Sequence, residues 1–284
     1  MDEQKLTIAV SGANGFVGTN LRQFLSNKKI QFISLTRKKH KNLKFEKNTI
    51  FSDLANKNLV KQLRGCNALV HLIGTGAQTT DADYQSVNVD QTKKIIDLCK
   101  RAKIKKIVYI SGLGVNKSTT FGYFISKLKA EQQIIKSGLD YTILRASYIL
   151  GKNDPLAKNL LKQAKQGSIL IPGSGAYRLQ PISVDDVSRV ILACITNKKL
   201  SNQIVDLVGT QTISFENFVR RFFRGKKIKI QKTALEKAYS DALNKPKNAV
   251  YGLDDLNILL GDFTASHKRL EKLCGFKLQT LANL

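Results

Sequence analysis

The stretch Leu6-Thr7-Ile8-Ala9-Val10-Ser11-Gly12-Ala13-Asn14-Gly15-Phe16-Val17-Gly18 decides the fold. Leu6–Ser11 is an apolar run of strand length. Phe16, Val17, Leu21, Phe24 and Leu25 then recur at helical spacing, which predicts a helix over Gly15–Leu25. Three glycines punctuate the junction. The turn out of the strand wants a residue without Cβ at Gly12. The backbone at Asn14 and Gly15 must stay bare for a diphosphate to approach, and Gly18 lets the helix pack close to the strand. At Phe16 and Val17 the helix start offers free N–H groups and its positive dipole end to phosphate. An ordinary tight strand-to-helix turn is the competing reading. The context of all three glycines favours the phosphate cradle.

Downstream, apolar runs alternate with amphipathic stretches. Strands are predicted at Gln31–Leu35, Thr49–Phe51, Ala68–Ile73, Ile107–Ser111 and Tyr141–Leu144, and helices at Tyr84–Ala102 and Phe121–Lys136. This is the pattern of βαβ units. It predicts an α/β fold, a Rossmann-type doubly wound parallel sheet in residues 1–150. After Gly151 the alternation loosens. Helical stretches near Leu156–Gln166, Val184–Thr196 and Phe215–Phe223 are interrupted by short strands near Gln180–Ile182 and Gln203–Val208. A smaller C-terminal α/β lobe, residues 151–284, is expected to pack on the first domain.

A hydrophobic content of 42% argues against disorder, and no apolar run reaches the roughly 18 residues of a spanning helix. The start Met1-Asp2-Glu3 lacks the basic and apolar regions of a signal peptide. The expected location is cytoplasmic, with the inner face of a membrane as an alternative (the matrix side in an organelle). Cys66, Cys99, Cys194 and Cys274 read as reduced core thiols. His40, His71 and His267 are scattered and take no metal role. Asp185-Asp186 reads as a pair at a helix N-terminus. The formal charge is +26, and the excess is spread rather than gathered in a tail. A solvated basic surface accounts for it; an anionic membrane surface comes next, and nucleic acid last, for want of any nucleic-acid motif.

The end of the second strand reads the adenosine ribose in such a fold, and an acid there marks NAD. This chain has Thr36-Arg37-Lys38-Lys39 instead. The Arg37 guanidinium suits a 2′-phosphate by charge and geometry, so NADP(H) is favoured over NAD(H). Asp53-Leu54 is placed to reach the adenine edge, or else Asp53 caps the helix that follows.

Several segments taken in order resemble the short-chain dehydrogenase/reductase superfamily. They are the glycines at 12, 15 and 18, Leu72-Ile73-Gly74 and Asn88-Val89-Asp90-Gln91-Thr92. Tyr123-Phe124-Ile125-Ser126-Lys127, Leu144 to Gly151 and Gln180 to Val187 follow. The order resembles the extended or atypical branch of the NAD-dependent epimerase/dehydratase type. Val108 to Gly114, and the tail from Asp254 to Leu284, are similar to the group holding the nucleotide-binding accessory subunit of respiratory complex I. The resemblance implies cofactor contacts at Gly74 and Lys127. It also implies a tightly held NADPH, with relatives acting as reductases, epimerases or subunits of quinone-related complexes. Arg145-Ala146 departs from the family's Arg-Pro after strand six.

Tyr123 and Lys127 share a helix face at i and i+4. An ammonium beside a phenol is expected to lower its pKa and ready it for proton transfer; a packing tyrosine is the plainer alternative. Tyr148 and Lys152 repeat the spacing, but at a strand end. The hydroxyl that related enzymes place just past strand five is missing at Gly112 and Leu113, leaving Ser111, for which a strand-end serine bonding its own backbone is the alternative reading. The helix around Phe215–Phe223 carries an apolar stripe beside Arg220, Arg221 and Arg224. It is either a lobe helix or a basic amphipathic surface for an anionic membrane. Two functions follow. One is a cofactor-holding accessory or assembly subunit of a respiratory or quinone-related complex. The other is an NAD(P)-dependent reductase or epimerase with Tyr123 as acid/base and Lys127 as its activator.

Overall fold

The computed structural model describes residues 6–51 and 53–280. Met1-Asp2-Glu3 and the last four residues of the tail lie outside them. The first strand, β1 (Thr7–Ser11), runs into α1 (Phe16–Asn27), β2 (Gln31–Thr36), β3 (Glu46–Ile50), α2 (Lys57–Leu63) and β4 (Ala68–His71). A π-helical turn, Gln85–Asp90, leads into α3 (Gln91–Ala102), followed by β5 (Lys106–Gly112), α4 (Gly122–Ile135) and β6 (Asp140–Ala146). The predicted single helix over Tyr84–Ala102 therefore changes winding at Asp90–Gln91. The third strand starts three residues earlier than predicted and ends one residue earlier, because its register follows β2: Phe32 pairs with Glu46 and Thr36 with Ile50.

Beyond β6 come β7 (Ile149–Leu150), α5 (Pro155–Lys165), β8 (Ser168–Pro172), β9 (Arg178–Leu179), β10 (Ile182–Ser183) and α6 (Val184–Thr196). Then follow β11 (Gln203–Leu207), β12 (Ile213–Ser214), α7 (Phe215–Phe222), β13 (Lys229–Thr233), α8 (Leu235–Asn244), α9 (Leu253–Leu259) and α10 (His267–Cys274). Seven strands form one sheet in the order β11-β6-β5-β4-β1-β2-β3, and every pairing in it is parallel. A sheet of this kind is buried on both faces, which is why its strands read as continuous apolar runs.

One face packs Leu69, Ile107 and Tyr109 against α2, α3 and α4. The other packs Ile8, Val10 and Val108 against α1, α6 and α10. The chain after Gly151 is thus shared out. Gln203–Leu207 pairs with Thr142–Ala146 at the sheet edge, and Val187, Val190 and Ile191 of α6 lie in the sheet's core. Placing these two segments in the lobe is corrected on that ground. What remains apart is a smaller assembly around α5, α7, α8, α9 and the β8–β13 pair, with its own core of Leu160, Ile171, Phe215, Val219 and Leu256. Tyr177 stacks on Phe215 with ring centres 5.4 Å apart.

Most of the apolar stripe of α7 is spent inside this core, while Phe222 stays exposed. Phe215, Phe218 and Val219 are buried there, each burial contributing about 2 kcal/mol. The surface-lying alternative thereby loses three of the four apolar side chains it would need. No helix among the described residues is long and apolar enough to cross a membrane.

Candidate active site

Strand order reverses between β1 and β4, and a crevice opens there at the carboxyl ends of the strands. Gly12 ends β1 with φ +72°, and a Cβ on it would lie 2.6 Å from the carbonyl carbon of Leu72. No other residue fits that space and that backbone conformation. The Gly15 amide donates to the Gly12 carbonyl at 3.0 Å. A Cβ on Gly18 would strike the backbone of Gly12 and Ala13, so α1 starts in direct contact with the turn. Its first turn has no side-chain cap and no acid, which leaves the amides of Phe16 and Val17 without helical acceptors. Asn14 and Gly15 are exposed. These residues fit a diphosphate.

At the end of β2, Arg37, Lys38 and Lys39 are exposed, and Asn14 Nδ2 donates to the Lys38 carbonyl at 3.5 Å. The Glu46 carboxylate, on the neighbouring strand β3, is already committed. Glu46 accepts from Arg22 Nε at 2.7 Å, from Ser34, from the Leu43 amide, and pairs with His40 at 2.8 Å. Burial raises its pKa, but these partners outweigh burial and hold it at about 2. Sequence reading missed this cluster, and His40 with it. Asp53 is exposed and accepts from the Ala55 amide at 3.1 Å, while Asn56, not Asp53, caps α2. The Leu54 side chain packs in the core.

At the end of β4, a Cβ on Gly74 would lie 3.1 Å from Lys127 Nζ and 3.2 Å from Asn88 Oδ1. In the sequence Asn88 stands out only as part of the segment Asn88 to Thr92. It holds the loop after Gly74 by accepting from the Thr75 amide and donating to the Thr75 carbonyl, and it donates to Ser126 Oγ at 2.9 Å. It thereby ties the β4 loop to α4.

Tyr123 and Lys127 stand on the first two turns of α4. Lys127 Nζ donates to the Ile110 carbonyl at 3.2 Å and lies 5.8 Å from the centre of the Tyr123 ring. A Cβ on Gly112 would fall 3.0 Å from Tyr123 Cε1, so the glycine at the end of β5 gives the ring its seat. Ser111 is buried, and its hydroxyl has no hydrogen-bond partner among the described residues, backbone included. Burial pushes the Tyr123 phenol up to about 12 and Lys127 down to about 8. The expected depression of the phenol is therefore corrected: in this pocket the loss of water outweighs the neighbouring ammonium, and Tyr123 is a protonated donor at neutral pH.

Ser111, Tyr123 and Lys127 line a cavity of about 440 Å³ that also takes in Phe16 and Val17 of the glycine turn. Tyr148 reaches the same cavity from the turn between β6 and β7, whereas Lys152 is exposed and does not line it. The distant wall comes from α5 and α9, which sequence reading left without chemistry.

A doubly wound parallel sheet whose glycine turn meets a helix N-terminus defines a dinucleotide-binding protein of the Rossmann class. The chain belongs to the NAD(P)H-binding family, whose model matches residues 12–198. It is similar to the uncharacterized sugar epimerase YhfK of Bacillus subtilis, at 24% identity over 73% of this chain and 96% of that one. It is also similar to the mitochondrial NADH dehydrogenase [ubiquinone] 1 alpha subcomplex subunit 9 of Dictyostelium discoideum, at 20% identity over 78% of this chain and 64% of the subunit. In fold it matches a nucleoside-diphosphate-sugar epimerase from Staphylococcus aureus, with a TM-score of 0.75 and 18% identity over 97% of this chain and 98% of that one.

Proposed function

We propose that the protein is an NAD(P)H-dependent oxidoreductase acting on a carbonyl or alcohol, with Tyr123 as proton donor and acceptor. One observation carries this reading. Tyr123 faces a cavity that adjoins the glycine turn, and its hydroxyl makes no hydrogen bond within the described residues. The backbone at Gly12, Asn14, Gly15, Phe16, Val17 and Gly18 would hold the diphosphate. Lys127 and Gly74 would meet the nicotinamide ribose, and Asp53 with the backbone of Leu54 the adenine, the Leu54 side chain being buried in the core. Arg37 supports NADP(H) over NAD(H). When bound, the reduced dinucleotide supplies a hydride to the substrate carbon. Tyr123 gives its hydroxyl proton to the carbonyl oxygen and regains one from solvent. Lys127 sits behind the ring and favours the transient phenolate, and Ser111 offers a hydroxyl for the substrate oxygen.

Replacing Tyr123 by Phe tests the reading. Turnover should fall at least 100-fold while the dinucleotide Kd stays within about twofold.

A second reading has its own support. Gly112 and Leu113 carry no hydroxyl at the end of β5, and a similar protein is a respiratory-complex subunit. In that reading the chain holds the dinucleotide for structure, as an accessory or assembly subunit on the inner face of a membrane. It would then co-purify with a large complex, and Tyr123→Phe would leave that complex intact and active.

A further inference from the structure

The geometry points to the chemical class of the substrate: a neutral, predominantly apolar carbonyl compound rather than a nucleoside-diphosphate sugar. This inference rests on reading the cavity at Tyr123 as the substrate site. In a chain of formal charge +26, no arginine among the described residues lines that cavity. Its one lysine, Lys127, is already committed to the Ile110 carbonyl. A diphosphate leaving water needs cations or free amides to replace its hydration.

The far wall offers the opposite. Its two carboxylates, Asp154 and Asp255, each sit at the start of a helix and close it. Asp154 is buried and accepts from the Ala157 amide at 2.7 Å and from the Gly151 amide at 3.4 Å. Asp255 accepts from the Gly252 amide at 3.1 Å. Helix starts of α5 and α9 that would otherwise attract an anion thus carry negative charge of their own.

The remaining polar groups are hydroxyls or are already paired. Asn159 donates to the Val250 carbonyl and accepts from Gln163, and Tyr251 donates to the Leu170 carbonyl. Among the described residues the buried hydroxyls of Ser111 and Ser147 have no partner, and those of Tyr123 and Tyr148 make no hydrogen bond. Hydroxyls gathered on the sheet side of a cavity whose other polar side chains are already paired, and whose remaining lining is aliphatic and aromatic, match one or two oxygens at one end of an apolar body. Leu156, Ile258 and Phe263 lie among the apolar side chains for the rest of that body.

The test uses the full chain with NADPH. Straight-chain methyl ketones of increasing length and UDP-glucose are each followed by saturation-transfer NMR and by loss of NADPH absorbance. The Kd of the ketones should fall about fourfold per added methylene, with UDP-glucose neither bound nor competing at millimolar concentration. Ile258→Lys should weaken ketone binding at least tenfold and leave NADPH affinity unchanged; Leu156→Lys makes the same test should the first variant not fold. Micromolar binding of UDP-glucose, or ketone binding indifferent to chain length or to both lysines, overturns the inference. Ketones bound with the expected length dependence but never reduced would support the substrate class and overturn the oxidoreductase reading alone.

Discussion

Lys127 Nζ is anchored to the carbonyl of Ile110 at 3.2 Å and stands 5.8 Å from the centre of the Tyr123 ring. The lysine is therefore fixed from behind by the sheet, one helical turn from the phenol. That position is expensive for a cation. Burial takes its pKa from 10.5 to about 8, so the unfolded chain holds the proton more tightly than the folded one, and stability rises as pH climbs from about 8 towards 10.5. Lys127→Met should raise stability at pH 7, by on the order of 3 kcal/mol, and remove that alkaline rise. The same variant should lower turnover at least 100-fold. Thermal melts against pH, beside an activity assay, check both; a variant that melts lower at pH 7 contradicts the prediction.

Glu46 has the opposite sign. Its folded pKa is about 2 against an ordinary 4.5, so its contribution is fully present above about 4.5 and is lost as pH falls towards 2. Glu46→Gln should be less stable than the parent by about 3 kcal/mol at pH 7, with the gap closing through that acid window. Arg22→Ala should destabilise by about 3–5 kcal/mol, because it strands a buried carboxylate. Denaturant unfolding at a series of pH values reads both.

The glycines of the turn should separate fold from binding. Gly12→Ala meets a backbone at φ +72° and the Leu72 carbonyl carbon at 2.6 Å, and should lower both stability and dinucleotide affinity. Gly15 has φ −71°, and beyond the Gly12 oxygen at 3.3 Å a Cβ there meets nothing within 4 Å. Gly15→Ala should fold normally, within about 0.5 kcal/mol, yet bind the dinucleotide at least tenfold more weakly by obstructing the approach of the diphosphate. Equal losses in both properties for the two variants would contradict this.

Arg37→Asp addresses cofactor choice. If Arg37 holds the 2′-phosphate, removing that charge-assisted contact, worth about 1.5–3 kcal/mol, and adding a repulsive carboxylate should weaken NADPH at least tenfold. NADH should bind as before or better. Calorimetry with each dinucleotide decides; an unchanged preference removes the argument from Arg37.

The parts legible in the chain alone were those whose physics is local. Gly12, Gly15 and Gly18 lie within seven residues and dictate one turn, and Tyr123 and Lys127 meet because a helix brings i and i+4 together. The alternation of apolar runs announced a parallel sheet, since each strand must be buried on both faces. Other features depend on segments far apart along the chain. Gln203–Leu207 is an ordinary short strand until it pairs with β6, some sixty residues earlier, and enters the large sheet. Glu46 is an ordinary surface acid until Arg22, Ser34 and His40 converge on it. Ser111 reads as a strand-end serine until the closed fold buries its hydroxyl without a partner beside Tyr123. The pKa of Tyr123 reversed its expected direction for the same reason: pattern discloses which groups are neighbours on one helix, but how much water they lose is decided only when the sheet, α4 and the lobe close around them.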